Sequence, residues 1–256
     1  MLKNRIIPIL LWNGYTLVKG QNFNNNRRAG SPITTIKIYN SRDVDEIVFF
    51  DISEKNLKII DTDFIQSVTD CVDVPITIGG GITNLSQMDD LFLSGADKIC
   101  LNSVNFENPN LINDAAKKFG SQAVTVSVDV KNINNEYICY YKNGTISSHK
   151  KVAHWIKECV EKGAGEIIIN SIDHDGLMNG YDNNLIKIVS SNVKVPIIAA
   201  GGAGNYKHFY EAFLSGANAF AAASLYHFTN STPAEAKKYL LKKNIYIREN
   251  FNINNQ

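Results

Sequence analysis

The chain has 256 residues, 44% of them hydrophobic and 20% charged, which is enough apolar matter for one substantial core and a length that fits a single α/β domain. A formal net charge of +1, with no run of basic residues, provides no field to attract nucleic acid or anionic lipid, so neither is expected as a partner. The apolar run 6–12 is too short to span a bilayer and no small-residue cleavage site follows it, while Cys71, Cys100, Cys139 and Cys159 stand apart with no C-x-x-C pair, as in a cytoplasmic protein that keeps its thiols reduced.

In chain order, apolar runs of strand length occupy residues 5–11, 46–52, 75–79, 98–102, 124–129, 166–171, 196–200 and 219–223. Most are continuous rather than alternating, the pattern of parallel strands whose outer face is covered by helices. A polar insert rich in Asn, Arg and Gly, residues 22–32, follows the first run. Helical spacing appears over 85–93, 109–119, 152–162 and 206–214. After the fifth run, residues 136–141 followed by Asn143-Gly144 predict a β-hairpin. The Asn-rich tail, 246–256, is expected to fray.

The runs are organised by an internal repeat. Val74-Pro75-Ile76 with Gly79-Gly80-Gly81 returns as Val195-Pro196-Ile197 with Gly201-Gly202, and Leu93-Ser94-Gly95-Ala96 returns as Leu214-Ser215-Gly216-Ala217. Pro75 and Pro196, Gly95 and Gly216, and Ser103 and Ser224 are each 121 positions apart. A constant offset through strand, glycine cluster and helix implies two copies of one half-domain. Eight βα units in two halves, about 1–120 and 121–245, describe a single-domain (β/α)8 TIM barrel with two-fold internal repeat. A doubly wound open sheet is the alternative, but it does not require the doubling.

The glycine clusters carry the first chemistry. At a strand's carboxyl end they let backbone approach an anion, and a following short helix offers unpaired N–H groups. Gly81, Asn102 and Ser103 would form one phosphate site; Gly202 and Ser224 would form its counterpart. Two such sites across one mouth fit a ligand with phosphate at both ends, although glycines that merely shape tight turns would give the same letters. Asp129 ends the fifth strand, where barrel enzymes keep acids and bases; a rim aspartate that caps a helix or pairs with Lys131 is the plainer alternative. The equivalent place in the first half falls near residue 11, which is Leu11. His149, His154, His174, His208 and His227 show no metal-ligand spacing. No Walker loop and no G-x-G-x-x-G is present, so no metal or cofactor is expected.

From Arg5 to about Glu249 the chain resembles the cyclase subunit of imidazole glycerol phosphate synthase. The resemblance is carried by Arg5-Ile6-Ile7, Val18-Lys19-Gly20, Asp45-Glu46, Gly79-Gly80-Gly81-Ile82, Gly95-Ala96-Asp97-Lys98, Phe119-Gly120-Ser121-Gln122-Ala123-Val124, Asp175-Gly176, Gly180-Tyr181-Asp182 and Gly201-Gly202-Ala203-Gly204. It implies a barrel that takes ammonia from a glutaminase subunit docked on its amino-terminal face. It implies further that Arg5, Glu46, Lys98 and Glu166 form a charged gate for ammonia at the barrel floor, where a purely structural salt-bridge ring is the alternative. Asp97 would face the glutaminase, Lys19 would contact substrate from the first loop, and Asp175 and Gly176 would join the second phosphate site. The family's cyclisation uses two aspartates; Asp129 matches one and Leu11 replaces the other. The chain is similar to divergent relatives that work with a glutaminase and a sugar-modifying amidotransferase. Three functions therefore stand open: an ammonia-conducting barrel serving another acceptor such as a surface sugar, a cyclase of histidine biosynthesis, and a scaffold that only activates the glutaminase.

Overall fold

A computed structural model describes residues 3–53 and 61–248. Twelve strands occur in chain order among them: β1 (Arg5–Trp12), β2 (Leu17–Gln21), β3 (Asn24–Gly30), β4 (Ile47–Asp51), β5 (Ile76–Gly79), β6 (Lys98–Leu101), β7 (Val124–Ile133), β8 (Glu136–Tyr141), β9 (Ile146–Lys151), β10 (Glu166–Ser171), β11 (Ile197–Ala200) and β12 (Ala219–Ala222). Eight of them, β1, β4, β5, β6, β7, β10, β11 and β12, pair in parallel in that order, and β12 returns to β1. These eight strands close on themselves without a free edge and form the predicted (β/α)8 barrel.

The burial of β1 shows how the two faces are used. Ile6, Leu10 and Trp12 join the large cluster between sheet and helices, while Ile7, Ile9 and Leu11 join a smaller cluster with Val48, Cys100, Ile168 and Ile198. Both faces of each strand are thus covered, which is why the runs read as continuous apolar letters. Among the described residues no helix is long and apolar enough to cross a membrane.

The repeat extends to individual hydrogen bonds. Asn84 caps the helix Leu85–Leu93 and Asn205 caps the helix Tyr206–Leu214, each with its side-chain oxygen on first-turn N–H groups. The Asp97 carboxylate accepts from the Ile76 N–H at 2.8 Å, and Asn218 accepts from the Ile197 N–H at 3.0 Å. Each pair is separated by the same 121 positions.

The structure refines three expectations. The polar insert 22–32 supplies β3, which pairs with β2 in an antiparallel hairpin whose tip, Asn22-Phe23, holds both residues at positive φ, the geometry of a two-residue turn that follows strand twist. The hairpin folds back over the barrel, with the Asn22 N–H donating to the Asp175 carbonyl at 2.8 Å and its amide to the Ile172 and Asp173 carbonyls. The predicted hairpin at 136–141 is the outer part of a three-stranded meander, because β7 runs on to Ile133 and pairs with β8. Finally, the start of the tail does not fray: Ile247 is buried and bridges Asn4. Residues 249–256 of that tail lie outside the described residues.

Candidate active site

Strands that all run the same way bring their starts to one end of the barrel and their carboxyl ends to the other. At the starts, Arg5 opens β1, Lys98 opens β6, Glu166 opens β10, and Glu46 immediately precedes β4. The structure closes these four into one ring. Arg5 Nη1 donates to Glu46 at 2.7 Å, Arg5 Nη2 bonds Glu166, and Lys98 Nζ reaches Glu46 at 2.8 Å and Glu166 at 3.0 Å. The Thr77 hydroxyl adds a bond to Glu46 at 2.9 Å. Burial opposes ionisation of Glu46, but Lys98 and Arg5 outweigh it and hold its carboxyl below the ordinary range. Burial likewise opposes the charge on Arg5, and Glu166 with Glu46 overcomes it. The floor is therefore closed by a ring of side chains of alternating charge. Asp97, next to Lys98, is exposed at this end and uses one carboxylate oxygen on the Ile76 N–H.

At the carboxyl ends lies a cavity of about 570 Å³ lined from both halves of the barrel. Gly80 and Gly81 on one side and Gly201 and Gly202 on the other all take positive φ. At Gly202 a Cβ would lie 2.0 Å from the Gly180 carbonyl, so only glycine fits this close crossing of backbones. Ser103 stands before the short helix Val104–Glu107, and its hydroxyl accepts from the Lys142 N–H at 3.0 Å. Ser224 opens the short helix Ser224–Phe228 and is buried. Gly81, Ser103, Gly176, Gly202 and Ser224 all line this one cavity.

Two residues assigned to phosphate from the sequence are otherwise engaged. Asn102 donates its side-chain amide to Asp129 at 2.6 Å. Asp175 forms a buried ion pair with Lys19, and burial raises its carboxyl despite that lysine. Lys19 itself sits on β2 rather than in an open loop, and is nearly inaccessible to solvent.

Asp129 points from β7 into the cavity and is 6% exposed. It also accepts a long bond, 3.4 Å, from the Asn170 amide. Burial pushes its carboxyl up to about 7, the two amides work against that rise, and the nearby Asp175 adds to it. A carboxyl poised at this pH can accept or return a proton. Leu11, by contrast, pairs in register with Phe50 and lines the cavity with Phe50 and Ile9. That wall offers no proton acceptor. Asn170 and Asp51 also line the mouth and were not singled out from the sequence. A signal existed for both, since each is a polar residue that follows an apolar run at a strand's carboxyl end.

The family described as "Histidine biosynthesis protein" matches residues 5–232. A Bacteroides thetaiotaomicron protein named imidazole glycerol phosphate synthase subunit HisF is 43% identical over 97% of this chain and its own full length. The proteins of the same name from Chlorobaculum parvum and Thermotoga sp. are 42% and 40% identical, covering 97% of this chain and 100% and 98% of themselves. The chain belongs to the histidine biosynthesis protein family, in the group of imidazole glycerol phosphate synthase subunit HisF.

Proposed function

We propose that this chain is the ammonia-accepting synthase subunit of a glutamine amidotransferase, and that it serves an acceptor other than the histidine-pathway intermediate. A glutaminase docks on the floor face beside Asp97. Ammonia enters through the ring of Arg5, Glu46, Lys98 and Glu166, and a ligand carrying phosphate occupies the mouth between Gly81-Ser103 and Gly176-Gly202-Ser224. The acceptor class is a nucleotide-linked or surface sugar, handled together with a sugar amidotransferase. One observation carries the reading: the floor ring is complete, whereas the mouth sets Asp129 across the barrel from an apolar wall of Leu11 and Phe50. Leucine neither accepts a proton nor binds a hydroxyl, so a step that needs paired acid and base loses on the order of 10²–10⁴ in rate.

A second reading, the cyclase of histidine biosynthesis, is supported by Asp129, whose carboxyl at about 7 suits acid and base work by a single residue. The deciding experiment offers purified protein the bis-phosphorylated ribonucleotide of that pathway with ammonium salt. Weak turnover is expected, together with recovery of a glutaminase in pull-downs. Robust turnover that ignores changes at residue 11 restores the cyclase reading.

A further inference from the structure

The turn after each glycine cluster is held in the same way in both halves of the barrel, but by different side chains. In the first half the Thr83 N–H donates to Gln87 Oε1 at 2.7 Å. In the second the Gly204 N–H donates to His208 Nδ1 at 3.1 Å. Thr83 and Gly204, like Gln87 and His208, are 121 positions apart, the offset of the glycine clusters themselves. Both acceptors stand in the first turn of a helix capped by an asparagine, Asn84 or Asn205. A backbone N–H exposed by the turn therefore finds its acceptor on the helix that follows.

The second of these turns is part of the mouth. Gly201, Gly202 and Ala203 line the cavity immediately before Gly204. The Gly180 N–H donates to the Gly202 carbonyl at 2.8 Å, and the Gly180 carbonyl bonds His174 Nδ1 at 2.8 Å. A Cβ on Gly204 would collide with the Met178 carbonyl. The turn that carries Gly202 and the loop that carries Gly176 are thus packed backbone to backbone, with Gly204 pinned between Met178 and His208.

A histidine can hold such a turn only while uncharged. The Gly204 N–H can only donate, so Nδ1 must be bare and the ring proton must sit on Nε2. Asn205 spends its side-chain oxygen on the Lys207 and His208 N–H groups, which leaves its NH2 facing Nε2 at 3.1 Å. Donors therefore face both ring nitrogens. A neutral ring accepts from one of them, and a protonated ring from neither. Burial lowers the proton affinity of His208; Glu211 of its own helix raises it and Lys207 lowers it. The facing loop brings the Gly180 backbone to the ring, with the titratable His174 beyond it. Gln87 carries an amide and has no such limit.

We infer that Gln87 and His208 are equivalent positioning residues, each fixing the turn of one anion site, and that acidification loosens the second site alone. The inference rests on the reading of the glycine clusters as phosphate sites. The test titrates the protein with sulfate at pH 8, 6 and 5 and follows the amides of Gly81 and Ser103, and of Gly202 and Ser224, by ¹⁵N NMR. Sulfate keeps one charge over this range. Affinity at Gly202 and Ser224 should fall about fivefold relative to the first site between pH 8 and 5, in keeping with loss of one hydrogen bond. The Gly204 amide should shift in step with the His208 ring while that of Thr83 stays still. His208→Gln, which copies the first half, should keep the affinity of pH 8 and remove this pH response; His208→Ala should weaken the second site at every pH. Protonation of Asp129 and Asp175 acts on wild type and glutamine variant alike, so their difference isolates residue 208. Second-site affinity that rises on acidification more in the wild type than in His208→Gln would mark a simple gain of positive charge and overturn the inference. So would a Gly204 amide indifferent to the ring, or a wild-type pH response in His208→Gln. If both sites bind sulfate with the same pH response, the inference fails alone. If neither cluster takes sulfate, the phosphate reading fails and the pH-sensitive site with it, while the Gly204 amide still decides whether His208 fixes the turn.

Discussion

Replacing Asp129 by asparagine should make the protein more stable at alkaline pH while removing its activity. The carboxyl has an ordinary value of 3.8 and stands at about 7 in the folded chain. Between those values the folded state holds a proton that the unfolded state has lost, so stability falls as pH rises from about 4 and levels off above about 7. At 1.36 kcal/mol per pH unit the ionised carboxylate weakens the fold at pH 8 by on the order of 4 kcal/mol. The substituted amide keeps the shape, removes the charge, and can donate to Asn102 Oδ1 or Asn170 Oδ1, both unbonded in the wild type. For a chain of this size each kcal/mol moves the melting point by roughly 2–4 °C, so a rise of roughly 8 °C or more is expected at pH 8 and little change at pH 4. Thermal unfolding of both proteins followed by circular dichroism at pH 4, 6 and 8 measures it. Parallel curves across that range would show that the Asp129 carboxyl is not raised and would refute the reasoning.

Leu11→Asp should raise ammonia-dependent cyclisation by on the order of 10²-fold, at small cost in stability because residue 11 is only half-buried at the mouth; unchanged turnover in a direct assay would count against a missing acid. Arg5→Met leaves Glu46 and Glu166 facing each other with Lys98 as their remaining cation, and should cost about 3–5 kcal/mol in denaturant unfolding. A loss below about 1 kcal/mol would mean that the ring is dispensable to the fold. Gly202→Ala forces a Cβ to within 2.0 Å of the Gly180 carbonyl at a φ of +110°, so sulfate affinity at that side of the mouth should fall together with stability. Normal sulfate binding by calorimetry would remove Gly202 from the anion site.

Much of this architecture is determined locally. The 121-residue offset follows from short-range features: β-branched runs buried on both faces, glycines at positive φ after strands, Asn84 and Asn205 as helix caps. Such features act over a few neighbouring residues, and they survive in one dimension. What tertiary structure alone decided depends on residues far apart in the chain. Arg5 meets Glu166 only because the sheet closes, with β12 against β1 and β7 against β10. The hairpin of β2 and β3 has no Asn-Gly at its tip, and its polar letters make sense only once it lies across the mouth and buries Lys19 against Asp175. Asn170 reads as one amide in an apolar run until it is set beside Asp129. The raised carboxyl of Asp129 is itself a property of the enclosure, since desolvation depends on every wall of the barrel and on no single stretch of sequence.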